Sequence, residues 1–252
     1  MENLKVKNVE FGTGIPKICV PIVAVTKKEI LEIAEQVTAK KSDCIELRID
    51  WFEDVGDIDK VLEVLKELRN LIGDTVLLFT FRTKKEGGKA TISCEDYKIL
   101  CEKVCQSGYI DMVDVEAFME KGMLKAISRM AHNNGVYVVA SNHDFIKTPS
   151  EEEIVKRLQF MDEAGADIPK IAVMPCSTRD VLTLLSATLR YQESGGKKPV
   201  ITMSMSENGV ISRLAGEVFG SAVTFAAVGR TSAPGQLAIE DVRQTLDILH
   251  QR

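Results

Sequence analysis

Lys170 interrupts the apolar run ADIPKIAVMP. An unpaired ammonium is costly to bury, so a lysine inside a strand-like segment asks for a chemical reason. A neutral lysine amine attacks ketones and forms Schiff bases, and the resulting iminium draws electrons from the adjacent carbon. Apolar neighbours and nearby cations both disfavour the ammonium, which suits such a nucleophile. His143, in SNHDF, meets the next requirement, because imidazole titrates near neutrality and carries a proton in either direction. Further charged residues cluster in similar segments: Glu46 and Arg48 in CIELRID, Arg82 and Glu86 in FTFRTKKEGG, then Arg213 ahead of the loop GRTSAPGQ. Three arginines against two glutamates predict a pocket for an anionic small molecule such as a carboxylate gripped bidentately. Taken singly, each residue has a plainer explanation: a salt-bridged lysine at a strand end, a satisfied core histidine, a Glu46–Arg48 ion pair. Convergence on one site is what favours chemistry.

The elements that must position these residues alternate along the chain. Apolar runs recur as KICVPIVAV, CIELRID, TVLLFTFR, YIDMVDVEAF, GVYVVASNHDF, IPKIAVMP, KPVITMSM and SAVTFAAVG. Between them lie helix-like segments such as TKKEILEIAEQVTAK and DIDKVLEVLKELRNLIG. TPSEEEIVKRLQFMDEAG opens with Ser150 and Glu153, a capping-box pattern. Eight strand–helix units with short links, in 252 residues, predict an α/β chain folded as a (β/α)8 TIM barrel. A doubly wound sheet is the alternative, but no GxGxxG follows the first strand. LKVKNVEFGTG predicts a β-hairpin within residues 1–14, ahead of the barrel. No linker or repeat divides the chain, so one domain over 1–252 is expected.

Strand residues alternate between faces. Ile45, Leu47 and Ile49 share one face of CIELRID, and Glu46, Arg48 and Asp50 the other. Thr80 and Arg82 share a face, as do Ser141 and His143, and as do Lys170 and Ala172. In a barrel the outer faces meet helices and must be apolar, so the polar faces converge inside. Met203 and Met205 alternate likewise in ITMSM.

Composition narrows the classes. Apolar residues make up 45% of the chain and the net charge is -5. That balance gives no global bias toward nucleic acid or an anionic membrane surface. No apolar run approaches a membrane span of roughly 18 residues, and the charged stretch MENLKVKNVE lacks the apolar core expected of a signal peptide. Six cysteines spread over the chain read as free thiols in a reducing cytoplasm rather than a disulfide framework or zinc set. His132 and His250, in helical segments, read as surface residues.

FTFRTKKEGG, SNHDF, DIPKIAVMP, ITMSM, GVISRLAGEVFGSAVTF and SAPGQ resemble, in order and at fitting intervals, the type I 3-dehydroquinate dehydratases of the shikimate pathway. The resemblance runs from about Pro16 to His250. It implies a TIM barrel, often homodimeric, that uses neither metal nor organic cofactor. It implies reversible syn loss of water from 3-dehydroquinate, with Lys170 as the Schiff-base nucleophile, His143 as the proton carrier and Glu86 as its orienting acid. Arg213 would hold the substrate carboxylate. Glu46, Arg48 and Arg82 would bind ring hydroxyls and shape the pocket. Met203, Met205 and Phe225 would form apolar walls. Ser232 and Gln236 would belong to a closing loop hinged at Gly229 and Gly235. A class I aldolase or transaldolase sharing the lysine, and a silent barrel that binds cyclic polyol acids, are the alternatives.

Overall fold

The computed structural model describes residues 3–229 and 231–250. Strands β1 (Leu4–Val6) and β2 (Val9–Phe11) pair antiparallel through a turn at Lys7, whose φ is +53°. The expected N-terminal hairpin is therefore present. Its Val6 and Phe11 pack with Cys19, Cys44 and Val76 near the strand starts, closing that end of the barrel.

Eight parallel strands follow: β3 (Lys17–Ile22), β4 (Cys44–Arg48), β5 (Val76–Thr80), β6 (Met112–Glu116), β7 (Tyr137–Asp144), β8 (Ile168–Val173), β9 (Ile201–Ser204) and β10 (Val223–Phe225). They lie in sequence order, with β10 beside β3. A parallel bridge between Val200 and Ser221, with Ala222 N–H donating to Val200 O at 2.8 Å, joins β9 to β10. The sheet thus closes as a (β/α)8 barrel.

A repeated device sets the register. Asp43, Asp111 and Asp167 each immediately precede a strand, β4, β6 and β8. Each accepts from the second N–H of the strand before: Ile18, Leu77 and Val138, at 2.7–2.8 Å. Ser221 repeats the role toward Thr202 of β9, at 3.0 Å. A one-residue slip would turn each strand inside out, and these side chains pin four strand pairs against it.

Outside the barrel run α1 (Lys27–Ala39), α2 (Ile58–Ile72), α3 (Cys94–Gln106), α4 (Met123–Asn133), α5 (Glu151–Glu163), α6 (Thr178–Glu193) and α9 (Ile239–His250), with the short α7 (Val210–Leu214) and α8 (Gly216–Phe219) between β9 and β10. Thr26 with Glu29, and Ser177 with Asp180, form complete capping boxes. The Ser150–Glu153 pattern is only half a box. Ser150 accepts from Glu153 N–H, but the Glu153 carboxylate takes Arg157 Nε at 2.8 Å instead. Helix α4 starts at Gly122 with no side-chain cap; its apolar stripe, including Leu124, Ile127 and Ala131, holds it on the barrel.

The predicted face alternation holds. Ile45, Leu47, Ile49, Leu77, Phe79 and Phe81 join the outer, helix-facing core. Leu78, Ala172, Met203, Met205 and Phe225 join the inner one. Among the described residues, no helix is long and apolar enough to cross a membrane. The six cysteines are free thiols, and His132 and His250 are half exposed at the surface, paired with Asp167 and Glu217.

Candidate active site

The polar inner faces meet toward the C-terminal strand ends. A cleft of about 470 Å³, counted to its mouth, is lined by Glu46, Arg48, Arg82, Glu86, His143 and Lys170. Met203, Met205 and Phe225 form its apolar side, and Ser232 and Gln236 its rim. In barrels of this kind active sites sit at this end.

Lys170 is central in β8, opposite Ser141 of β7, and only 3% exposed. Its Nζ donates to Asp114 Oδ2 at 3.2 Å, lies 3.6 Å from Glu46 Oε1 and stands 4.6 Å from the centre of the Phe225 ring. The cationic surroundings expected from the sequence are therefore corrected: the amine faces carboxylates first. The buried charged side chains are Glu46, Asp50, Glu86, Asp114 and Glu116 against Arg48, Arg82, Lys170 and Arg213. The arginine surplus disappears once Asp50, Asp114 and Glu116 are counted. Asp114 and Glu116 follow the same two-residue alternation on β6, in MVDVE, that exposed Glu46 and Arg48 on β4; that alternation is the signal that finds them.

Arg82 is the hub. Its Nη2 donates to Asp114 Oδ1 at 2.7 Å, and its Nη1 to Ser141 Oγ at 2.8 Å and Glu116 Oε1 at 3.1 Å. Burial works against its charge, but Asp114, Glu116 and Glu86 outweigh that and raise its pKa. Arg82 thus shapes the pocket through other side chains. Arg48 is also committed, with Nε and Nη2 on Asp50 at 2.8 and 3.0 Å. The alternative Glu46–Arg48 pair does not form; Glu46 accepts from Thr80 Oγ1 at 2.9 Å instead.

His143 ends β7 beside a tight loop. Its Nδ1 lies 3.0 Å from Glu86 Oε2, which also accepts from the His143 backbone N–H at 3.0 Å. Glu86 Oε1 accepts from Asn142 Nδ2 at 3.1 Å. The loop carrying Glu86 is stitched by Gly88 N–H to Thr83 O at 2.8 Å and Lys84 N–H to Ala90 O at 3.0 Å. A Cβ on Gly88 would collide with the Arg82 carbonyl, so glycine is required there. Glu116 secures the same loop by accepting from Thr83 N–H and Oγ1, both at 2.8 Å.

Burial pushes the Glu86 carboxyl up to about 7, Arg82 and its hydrogen bonds only partly opposing it. Burial, followed by Arg82, Lys170 and Arg48, holds His143 well below the usual imidazole range. The ring is therefore neutral at pH 7. With Nδ1–H donated to Glu86, Nε2 carries the lone pair.

Arg213 packs between Met203, on the cleft's apolar side, and the closing loop, with Nη1 to Met203 Sδ at 3.6 Å and Nη2 to Pro234 O at 2.9 Å. It is 3% exposed, its Nε has no partner, and no carboxylate pairs with it among the described residues. Burial lowers its pKa to about 10, so it stays charged at pH 7. An anion preference therefore rests on Arg213 and not on a general surplus of cations.

In the loop, Ser232 N–H donates to Gln236 Oε1 at 2.8 Å and Gln236 Nε2 to Ser232 Oγ at 3.0 Å. Gly229 and Gly235 have φ of +72° and +76°, in the left-handed region that favours glycine, and a Cβ on Gly235 would collide with the Ser206 carbonyl. Arg230 of the same loop lies outside the described residues. Gly87, Phe145 and Ala233 also line the cleft. They were missed because loop apposition brings them there.

A buried lysine and a neutral histidine that line one cleft at the C-terminal end of a closed parallel barrel define the class: a TIM-barrel enzyme. The type I 3-dehydroquinase family model matches residues 18–252, and the chain belongs to that family. It is 52% identical, over the whole of both chains, to the 3-dehydroquinate dehydratase of Listeria monocytogenes serotype 4a. The type I enzyme of Clostridium difficile superposes with a TM-score of 0.96 at 48% identity, covering 99% of this chain and 98% of that one. The 3-dehydroquinate dehydratase of Geobacillus kaustophilus gives 0.95 at 41%, covering 99% and 97%. The match selects the dehydratase family over the aldolases.

Proposed function

We propose that the chain removes water reversibly from 3-dehydroquinate to give 3-dehydroshikimate through a covalent imine on Lys170. The observation that carries this reading is the shared cleft, which exposes both the Lys170 amine and an imidazole whose other nitrogen is tied to Glu86. The Lys170 amine adds to the C3 ketone, and loss of the carbonyl oxygen as water leaves a protonated imine. His143 Nε2 takes the C2 proton, and the C–H electron pair forms the enamine. The enamine expels the C1 hydroxyl, which leaves as water with the proton now on His143. Hydrolysis frees the product and the amine. One base serving both steps confines both to one face of the ring, which gives syn stereochemistry. Glu86 holds the imidazole and balances its transient charge.

Arg213, a buried cation without an anionic partner among the described residues, would take the substrate carboxylate. Reaching it requires the 229–236 loop to open and Arg213 to exchange the Pro234 carbonyl for the ligand. Glu46 and Arg48 face the ring hydroxyls, and the Met203, Met205 and Phe225 wall meets the ring's apolar edge. The related Clostridium difficile structure is described with covalently modified comenic acid, which supports covalent capture here. Homodimerisation, a one-domain chain and a cytoplasmic setting complete the proposal. The free thiols support the last, while sedimentation and a single cooperative unfolding transition check the first two.

Borohydride reduction in the presence of 3-dehydroquinate, followed by peptide mass mapping, tests the core claim. The peptide containing ADIPKIAVMP gains the reduced adduct, and Lys170→Ala has no turnover. An unmodified peptide while product accumulates refutes the covalent route.

A further inference from the structure

The Asp114 carboxylate is divided between two tasks. Its Oδ1 accepts from Arg82 Nη2 at 2.7 Å and Ser141 Oγ at 2.6 Å. Its Oδ2 accepts from Lys170 Nζ at 3.2 Å. One oxygen is clamped by donors from the segment after β5 and from β7, on either side of β6, and the other is turned to the amine. Glu46 is a weaker candidate for the same task, 3.6 Å from Nζ and already engaged by Thr80. We propose that Asp114 is the counter-ion of the Lys170 nitrogen, holding its positive charge in the resting ammonium and again in the protonated imine. This inference rests on the lysine-imine reading above.

The charge balance of imine formation makes such a fixed anion useful. An ammonium and a ketone give an iminium and one water. Two N–H bonds break, a C=N bond forms, and the carbonyl oxygen leaves with both protons. One positive charge sits on Nζ before and after, so a carboxylate already aligned on it needs no rearrangement. The neutral amine in between is disfavoured, and so is the neutral enamine that follows. Asp114 thus favours accumulation of the iminium at the expense of easy amine release.

The surroundings keep Asp114 suited to this. Burial opposes its charge, but Arg82 and Lys170 outweigh burial and hold its carboxyl below the usual range. The other charged groups facing the pair are Glu46 and Arg48 on β4, Glu86 in the loop after β5, Glu116 on β6 and His143 on β7. Cys19 on β3, and Tyr97 and Cys101 on α3, are pushed up mainly by burial and stay uncharged. His143 is neutral, and the Glu86 carboxyl, at about 7, adds an acid limb of its own that Asp114→Asn does not remove, so the limb to follow is the one that Glu86→Gln retains.

The test compares the pH dependence of kcat/KM in the unaltered enzyme and in Asp114→Asn, which keeps the shape and removes the charge. Loss of a contacting opposite charge moves the acid limb about one to three pH units lower, while borohydride traps a smaller fraction of Asp114→Asn as imine at a given pH. A merely structural role lowers activity without moving the limb, and superimposable limbs overturn the proposal. Trapping on Lys170 in the unaltered enzyme is the separate control: its absence sinks the imine reading, whereas its presence with unmoved limbs sinks only the counter-ion. If Asp114→Asn does not fold, nitrogen NMR of the 15N-lysine-labelled unaltered protein decides. A protected ammonium signal for Lys170 at pH 7 supports the proposal, and a neutral amine signal overturns it.

Discussion

Replacing Glu86 by glutamine removes a charge while keeping the shape of the group that holds His143. Glu86 Oε2 accepts two bonds from His143, and Oε1 accepts one from Asn142 Nδ2. The Asn142 amide cannot turn freely, because its Oδ1 accepts from Arg157 Nη1 at 2.9 Å. A glutamine must therefore choose. With its oxygen toward His143, its amide opposes the Asn142 amide, donor against donor. With its amide toward His143, Nδ1 becomes the acceptor and Nε2 takes the proton, which removes the base from the cleft. In the first arrangement the base survives, but the imidazolium formed after C2 deprotonation loses its counter-charge. A hydrogen bond to a charged group contributes about 1.5–3 kcal/mol, so kcat falls by roughly 10- to 150-fold. The pH profile adds a second reading. The Glu86 carboxyl sits at about 7 and stabilises the imidazolium only when ionised. In the unaltered enzyme kcat/KM therefore rises with pH through about 7, and Glu86→Gln lacks that limb. The assay is initial velocity, followed by the ultraviolet absorbance of the conjugated product, from pH 5 to 9. A kcat within twofold of the unaltered enzyme, with the limb near 7 still present, contradicts the assigned role.

Arg213→Ala removes the buried cation without an anionic partner, and the affinity for the acid drops by about 1.5–3 kcal/mol, roughly 10- to 150-fold. Calorimetry with a ring analogue lacking the carboxylate gives equal binding to both proteins; a comparable loss for that analogue shows that Arg213 does not read the carboxylate. Asp111→Ala orphans the Leu77 N–H, bonded at 2.8 Å, and breaks the pair with Arg69 Nη2 at 2.6 Å. Arg69 keeps the carbonyls of Gly73, Thr75 and Tyr109 and the pair is only part-buried, so the cost is mainly that of the orphaned donor, about 1–3 kcal/mol. Thermal unfolding shows it as a fall of roughly 2–12 °C, and a change under 2 °C shows that the strand-stitching device is dispensable.

Sequence alone determined the architecture and most of the lining of the cleft. Alternation with period two needs only local backbone geometry, so Glu46, Arg48, His143 and Lys170 were assigned to inner faces before any contact was known. Recurring strand and helix patterns needed only the right-handed crossover rule to become a barrel. Tertiary structure decided which charge meets which. Arg48 and Arg82 look free along the chain, yet Asp50, Asp114 and Glu116 neutralise them. Arg213, in contrast, is left without a carboxylate beneath the loop. Pairing across strands depends on register and on where loops fold back, and both are set by long-range contacts such as those of Asp111 and Asp167. Electrostatics inside a barrel belongs to neighbours in space, which is why the chain revealed which charged groups share the inner face but not the charge balance around them.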